Sequence, residues 1–299
     1  MSNTQQNYKA GDSDRITREY FDSLLLELRY IDSVIPSTTM NLYGETFSTP
    51  VMTAALSHLD GRRPNGTVEM AKGAFAANAV MWTGMGDEDE LEAITATGVK
   101  VVKIIKPYED NKTIYKKIEH AEKCGALAVG MDVDHIFNGK GQYDNVLGNL
   151  MTSKTLDEIK DFVKSTKLPF IIKGVLSEQD TYKCIEAGVK GIVVSHHHGI
   201  QDFAVPPLMI LPKIAKVVDH SIPIFVDCSV ESGIDTFKAL ALGATAVSVG
   251  RALMTALMDD GENGVQKKIE QMTEELAAAM ARTGSKDIMH IDPSVIWKK

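Results

Sequence analysis

Ile171-Ile172-Lys173-Gly174-Val175, Val193-Val194-Ser195-His196-His197-His198-Gly199, Phe225-Val226-Asp227 and Val247-Ser248-Val249-Gly250-Arg251 repeat one pattern four times within 81 residues. Each is a short β-branched run that stops at a polar residue or a glycine. Each is followed by a segment with helical patterning. That alternation is the grammar of parallel βα units, which present the C-terminal ends of their strands to a ligand.

Working outward, the same alternation covers the chain. Candidate strands lie near 50–55, 79–83, 99–105, 126–132, 169–173, 190–195, 223–227 and 245–249. Candidate helices lie near 66–77, 88–96, 110–124, 155–166, 177–187, 204–218 and 232–242, with an eighth after Gly250. Eight of each predicts a closed (β/α)₈ TIM barrel of the α/β class, one domain over residues 1–299. A doubly wound open sheet is the alternative, but Thr53-Ala54-Ala55 stands where a dinucleotide-binding glycine loop belongs. Asp12 and Ser13 are candidate caps for an N-terminal helix over 14–28, and residues 37–44 read as an extended piece and a turn. Residues 264–283 read as a long terminal helix and 284–299 as a tail. Most connections are short; the exception, 133–154, follows the fourth strand at the functional face and reads as a substrate lid.

Bulk properties narrow the function. The chain has 299 residues, 44% of them hydrophobic, enough for a substantial core. Net charge is -8 with no basic tract, which argues against nucleic acid and anionic membranes as partners. No apolar run approaches the roughly 18–20 residues of a membrane helix. The three cysteines, Cys124, Cys184 and Cys228, are scattered, and Met1 to Asp14 is polar with no apolar signal core. A cytoplasmic protein with a partly mobile start (residues 1–13) is the expectation.

The strand ends carry the candidate chemistry. Lys173 ends an apolar strand and points into the barrel mouth, where it stabilises negative charge or, with a depressed pKa, forms a Schiff base. Of the three consecutive histidines, at most two share a face, and no Glu or Cys stands nearby at ligand spacing, so no metal is expected. One of them serves as general acid or base, or all three pack and cap the strand end. Asp227-Cys228-Ser229 with Gly233, followed by Gly250-Arg251, reads as a phosphate grip, in which backbone N–H groups at two loop–helix junctions face an anion. Asp132, Asp134 and His135 cluster after strand four, as acid/base groups, as ligand contacts or as loop caps. Trp82-Thr83 covers a flat ring or fills the core, and Cys228 is a candidate thiol at a helix N-terminus.

Lys173-Gly174-Val175, the Ser-x-His of Ser195 to His197, the run Phe237-Lys238-Ala239-Leu240-Ala241-Leu242-Gly243-Ala244 and Gly250-Arg251, in this order, resemble the FMN-dependent α-hydroxy acid oxidase/dehydrogenase family, which includes glycolate and lactate oxidases. The resemblance covers roughly 14 to 285 and is strongest after Pro169. It implies FMN as cofactor, His197 as the catalytic base and Lys173 at the flavin N1–C2=O edge. It places Thr53, Ala54, Ala55 and Thr83 against the ring and Asp132 near the family's strand-four aspartate. Ser195, Asp227, Ser229, Gly250 and Arg251 complete the cofactor site. A small-molecule substrate and a homotetramer are also implied.

Departures from the family pattern concern the substrate. Ile200 stands where the family's carboxylate-clamping arginine follows the histidine, and its second arginine has no match between Val133 and Gly141. The glutamine and tyrosine of strand three fall on Lys103 and Ile105, so that Lys103 is expected to meet the flavin or an anionic substrate. The Asp-Gly-Gly-Val-Arg loop is Asp227-Cys228-Ser229-Val230-Glu231, and the N-terminal tyrosine helix is reduced to Tyr8-Lys9-Ala10-Gly11. An arginine clamp contributes about 1.5–3 kcal/mol per charge-assisted bond. Its loss predicts a hydroxy-substrate other than a standard 2-hydroxy acid held in the usual way. A non-redox isomerase or lyase, and a silent ligand-binding barrel, are the competing readings.

Overall fold

The computed structural model describes residues 9–299. The expectations for residues 1–8, including Tyr8, lie outside them. In chain order the elements are α1 (Ser13–Ser23), β1 (Leu24–Leu26), β2 (Met40–Leu42), β3 (Glu45–Phe47), β4 (Val51–Thr53), α2 (Gly66–Ala76), β5 (Met81–Thr83), α3 (Glu88–Ala96), β6 (Val101–Ile105), α4 (Asn111–Lys123) and β7 (Ala128–Asp132). There follow β8 (Asn145–Val146), β9 (Asn149–Leu150), α5 (Leu156–Lys164), β10 (Phe170–Val175), α6 (Glu178–Ala187), β11 (Gly191–Val194), α7 (Pro207–Val218), β12 (Ile224–Val226), α8 (Gly233–Ala241), β13 (Ala246–Val249), α9 (Arg251–Arg282) and β14 (Ile296–Lys298).

Eight parallel strands form the barrel in the order β4-β13-β12-β11-β10-β7-β6-β5. The remaining seam, between β4 and β5, is drawn together by a parallel bridge of Leu56 with Thr83 and by Thr53 N donating to Val80 O at 3.2 Å. The Thr53 hydroxyl accepts from Trp82 N at 2.9 Å across the same seam. Met52, Trp82, Val102, Ala128, Ile171, Val193, Phe225 and Ala246 fill the barrel interior as one buried cluster. Trp82 is 1% exposed and meets Phe225 edge to face at 5.1 Å, so the core reading of Trp82 holds. Residues of the opposite parity face the helices. Six helices begin on side-chain caps of the expected kind: Asp12, Asp87, Asp110, Ser177, Ser232, and Thr155 in a full capping box with Glu158.

Three expectations are corrected. Helix α1 is capped by Asp12 as read but stops at Ser23, because Leu24–Leu26 leave it to pair antiparallel with Ile296–Lys298. A tertiary partner overrides leucine's helix propensity there. The 284–299 segment is therefore tied back onto the body. The 133–154 loop contains the hairpin β8–β9, whose turn residues Leu147 and Gly148 both have positive φ, the primed-turn geometry. The terminal helix starts at Arg251 and is kinked at Asp260 and Gly261. Among the described residues no helix is long and apolar enough to cross a membrane.

Candidate active site

Strand parity decides what reaches the barrel mouth. Two residues beyond each interior-layer residue, the next inward position is Ile104 on β6, Lys173 on β10, Ser195 after β11 and Asp227 after β12; one period further come Lys106 and Asp132. These groups converge. Lys173 Nζ lies 3.5 Å from Asp132 Oδ1, 3.6 Å from Asp134 Oδ2, 3.8 Å from Asp227 Oδ2 and 3.5 Å from Ser195 Oγ. Burial lowers the Lys173 pKa, but the three carboxylates raise it more, so the ammonium stays charged and the Schiff-base reading falls.

His197 Nδ1 lies 2.7 Å from Asp134 Oδ1, 3.4 Å from Asp132 Oδ1 and 3.2 Å from Lys173 Nζ. Nδ1–H donating to Asp134 leaves Nε2 as the ring nitrogen available to the cavity that His197 lines. Burial lowers the His197 pKa, but bonds to Asp132 and Asp134 outweigh burial and the Lys173 charge and carry it to about 9. Burial pushes Asp134 up to about 6. Gly174 makes this packing possible: its φ is +97°, and a Cβ there would sit 2.5 Å from Asp134 Cβ and Cγ. Asp132, Asp134 and His197 bring three potential metal-ligand atoms together, but the Lys173 ammonium already occupies their centre.

The cavity above these groups measures about 420 Å³. Its walls are Ala54, Ala55, Leu56, Ser57 and His58 on one side, Lys106, Asp132, His135, Lys173 and His197 on another, and Val146 and Leu147 from the hairpin. A small adjoining cavity shares Ala54, His198 and Asp227 with it and continues past Ser229, Ser248, Gly250 and Arg251. Helix α9 starts at that end with no side-chain cap on its first N–H groups. Cys228 and Ser229 have φ of 69° and 58°, so this chain keeps, without glycine, the left-handed backbone a glycine pair favours. Arg251 donates to Ser229 Oγ at 3.2 Å and pairs with Asp14 at 2.8 Å. A larger hollow of about 630 Å³ opens at the N-terminal ends of β12 and β13, which the strand-end groups do not reach.

Of the residues read from sequence, Ala54, Ala55, Lys173, His197, Asp227, Ser229, Gly250 and Arg251 line the two cavities, and Ser195 supports them through His197 N at 3.1 Å. Three neither line nor support them. Thr53 and Thr83 serve the β4–β5 seam, as described. Lys103 points outward from β6, donates to Gly84 O at 2.7 Å beside Glu90, and is drawn down to about 8 by burial. Ile105 also faces the outer core, so Lys106 takes the inward position at the end of β6. His196 bonds Thr17 Oγ1 at 2.7 Å and accepts from Gly199 N, a packing role. The Cys228 thiol is pushed up by burial and by Asp227, which removes the reactive-thiol reading. Asp134 and His135, read from sequence as either acid/base or ligand groups or loop caps, stand at the site, and Lys106 is a neighbour that the sequence reading did not weigh. Counting parity from Ile104 would have found Lys106.

Comparison with known proteins identifies the family. The family model described as FMN-dependent dehydrogenase matches residues 4–155 and 140–298. Glycolate oxidase 3 of Arabidopsis thaliana is 28% identical over 95% of this chain and 88% of its own length. The peroxisomal (S)-2-hydroxyacid oxidase of the same plant is 30% identical over 85% of this chain and 78% of its own. A mandelate oxidase variant with a monooxide FMN adduct superposes with a TM-score of 0.88 at 28% identity, covering 97% of this chain and 92% of that one. A second variant, with leucine for an arginine and solved with 2-hydroxy-phenylacetamide, superposes at 0.87 and 26%, covering 97% and 90%. The chain belongs to the FMN-dependent dehydrogenase family and is, with its relatives, an FMN-dependent oxidoreductase acting on a CH–OH group.

Proposed function

We propose that the enzyme oxidises a small hydroxy-substrate with His197 as base, and that this substrate is not gripped by an arginine pair. Among the described residues no arginine lines the main cavity, and Ile200 is 43% exposed outside it.

The residues present fit FMN. Ala54 and Ala55 leave a flat ledge, the charged Lys173 sits at the cavity floor, and the uncapped α9 N-terminus lies beside the left-handed Cys228-Ser229 backbone at the far end. When bound, FMN supplies the two-electron acceptor for the hydride. Lys173 would hold the ring edge and offset negative charge there; Arg251, Ser229 and the α9 N–H groups would hold the phosphate. His198, with φ of 54°, lines both cavities in the left-handed conformation that favours glycine.

The protein's own part is proton handling and orientation. Asp134 fixes the imidazole tautomer, and Nε2 takes the hydroxyl proton as the carbinol C–H bond breaks. Asp132 and Asp134 stabilise the imidazolium that results. The hairpin residues Val146 and Leu147 cover the site and exclude water. The carrying observation is the 2.7 Å contact of His197 with Asp134 directly beside Lys173.

The proposal extends to a homotetramer, as the family resemblance implies, supported by exposed Ile31 and Ile35, which are 92% and 96% accessible. It extends to a cytoplasmic location, supported by the three free cysteines. The test is direct. Purified protein should be yellow and should bleach anaerobically with glycolate, lactate or mandelate. Protein that stays colourless after reconstitution with FMN overturns the proposal, and light scattering tests the tetramer.

A further inference from the structure

Among the described residues two ammonium groups line the main cavity, and the reaction described above uses only Lys173. Lys106 follows β6 directly and is 9% exposed. Its Nζ donates to Asp132 Oδ2 at 2.7 Å and lies 3.1 Å from His135 Nδ1. His135 Nε2 lies 3.2 Å from Asp144, the residue before β8. Burial, followed by the charges of Lys106 and His197, lowers the His135 pKa, so the ring is neutral near pH 7. The hydrogen bonds then have one consistent direction: Lys106 donates to Nδ1, and Nε2–H donates to Asp144. An ammonium has three N–H bonds. Asp132 and His135 take two, and the third is left for the cavity.

We propose that Lys106 is the substrate anchor, its third N–H taking one carboxylate oxygen of a small 2-hydroxy monocarboxylate in place of an arginine pair. This rests on the oxidoreductase reading and names the substrate class for that same site. The charge balance sets the class. Lys106, Lys173 and the His197 imidazolium face Asp132, Asp227 and Asp134, so there is no surplus positive field for a dianion. A single directed, charge-assisted bond remains, which suits one carboxylate. Leu56, Met85, Ile104, Val146 and Leu147 supply an apolar wall for the rest of the substrate. The hydrogen-bonded chain from Lys106 through His135 to Asp144 also ties the anchor to the hairpin that covers the site.

The test uses the FMN-loaded enzyme and non-reacting product analogues: glyoxylate, pyruvate and benzoylformate, each against its amide. Binding is followed by flavin absorbance and by calorimetry. At least one carboxylate should bind about tenfold or more tighter than its amide, as one charge-assisted bond predicts. Lys106→Met should abolish that preference while leaving amide binding within about twofold. Asp144→Asn, remote from the ligand, should weaken carboxylate binding several-fold through His135 without changing amide binding, and keeps the test open if Lys106→Met folds poorly. The proposal is overturned if none of the three carboxylates binds, if acid and amide bind alike, or if Lys106→Met retains the preference. Failure of the oxidoreductase reading itself would appear separately, as protein that takes up no flavin before any ligand is added.

Discussion

Asp134→Asn should move the pH at which the enzyme becomes active. In the wild type His197 Nδ1 has its shortest contact, 2.7 Å, with Asp134, while Asp132 is at 3.4 Å. Burial lowers the His197 pKa and the two carboxylates raise it, to about 9 from the ordinary 6.5. A folded-state pKa raised in this way favours the folded protein fully below about 6.5, and that contribution is lost as pH rises through about 9. The free base appears over the same upper range, so the rate of substrate oxidation should climb towards a limb near pH 9. The whole shift corresponds to ~3 kcal/mol, since one pKa unit is ~1.4 kcal/mol. Asparagine keeps the shape and an acceptor for Nδ1–H but removes the nearer charge. The limb should therefore fall by about one to two units, and the plateau by up to about tenfold because a less basic imidazole accepts the proton less readily. The assay is anaerobic flavin bleaching in a stopped-flow instrument across about pH 6 to 10, with whichever of glycolate, lactate and mandelate reacts fastest. A limb unmoved in Asp134→Asn but displaced in Asp132→Asn would refute the assignment and return the role to Asp132.

Three further substitutions probe neighbouring parts of the site. Lys173→Met should retain the fold but reduce flavin bleaching by at least about a hundredfold, as expected for loss of a preorganised charge at the reacting centre; unchanged turnover would remove Lys173 from the reaction. Gly174→Ala places a Cβ 2.5 Å from Asp134 at a φ of +97°, so a loss of about 2–4 kcal/mol from strain and overpacking is expected in urea denaturation. An unchanged midpoint would show that Asp134 moves aside freely. His198→Gly relieves a left-handed residue by about 1 kcal/mol and opens the joint between the two cavities, so FMN should bind more tightly by fluorescence titration. Weaker binding would instead make His198 a cofactor ligand.

Much of this protein is legible in one dimension. The barrel follows from a local period, β-branched runs ending at Lys173, Ser195, Asp227 and Gly250, because strand and helix patterning is written in near neighbours. The family follows from the order of those endings, and with it FMN; Lys173 and His197 are named by the same order as candidates. Tertiary structure decided the matters that depend on parity and on distant partners. Lys103 and Lys106 are equally polar in sequence, yet strand pairing turns Lys103 towards Gly84 and Lys106 into the cavity. A shift of one residue reverses the face, so parity can be counted in the sequence only once one inward residue, such as Ile104, is known from the fold. Asp134 became the nearest partner of His197 because the chain turns over Gly174, 40 residues away in sequence and in contact in space. The Cys228-Ser229 loop lost its glycines but not its left-handed backbone, since the surrounding barrel holds two residues in a conformation they would not choose alone. The three leucines after Ser23 read as helix until Ile296–Lys298 arrives to pair with them. Local chemistry named the fold and its cofactor; contacts between distant residues chose which side chains face the substrate.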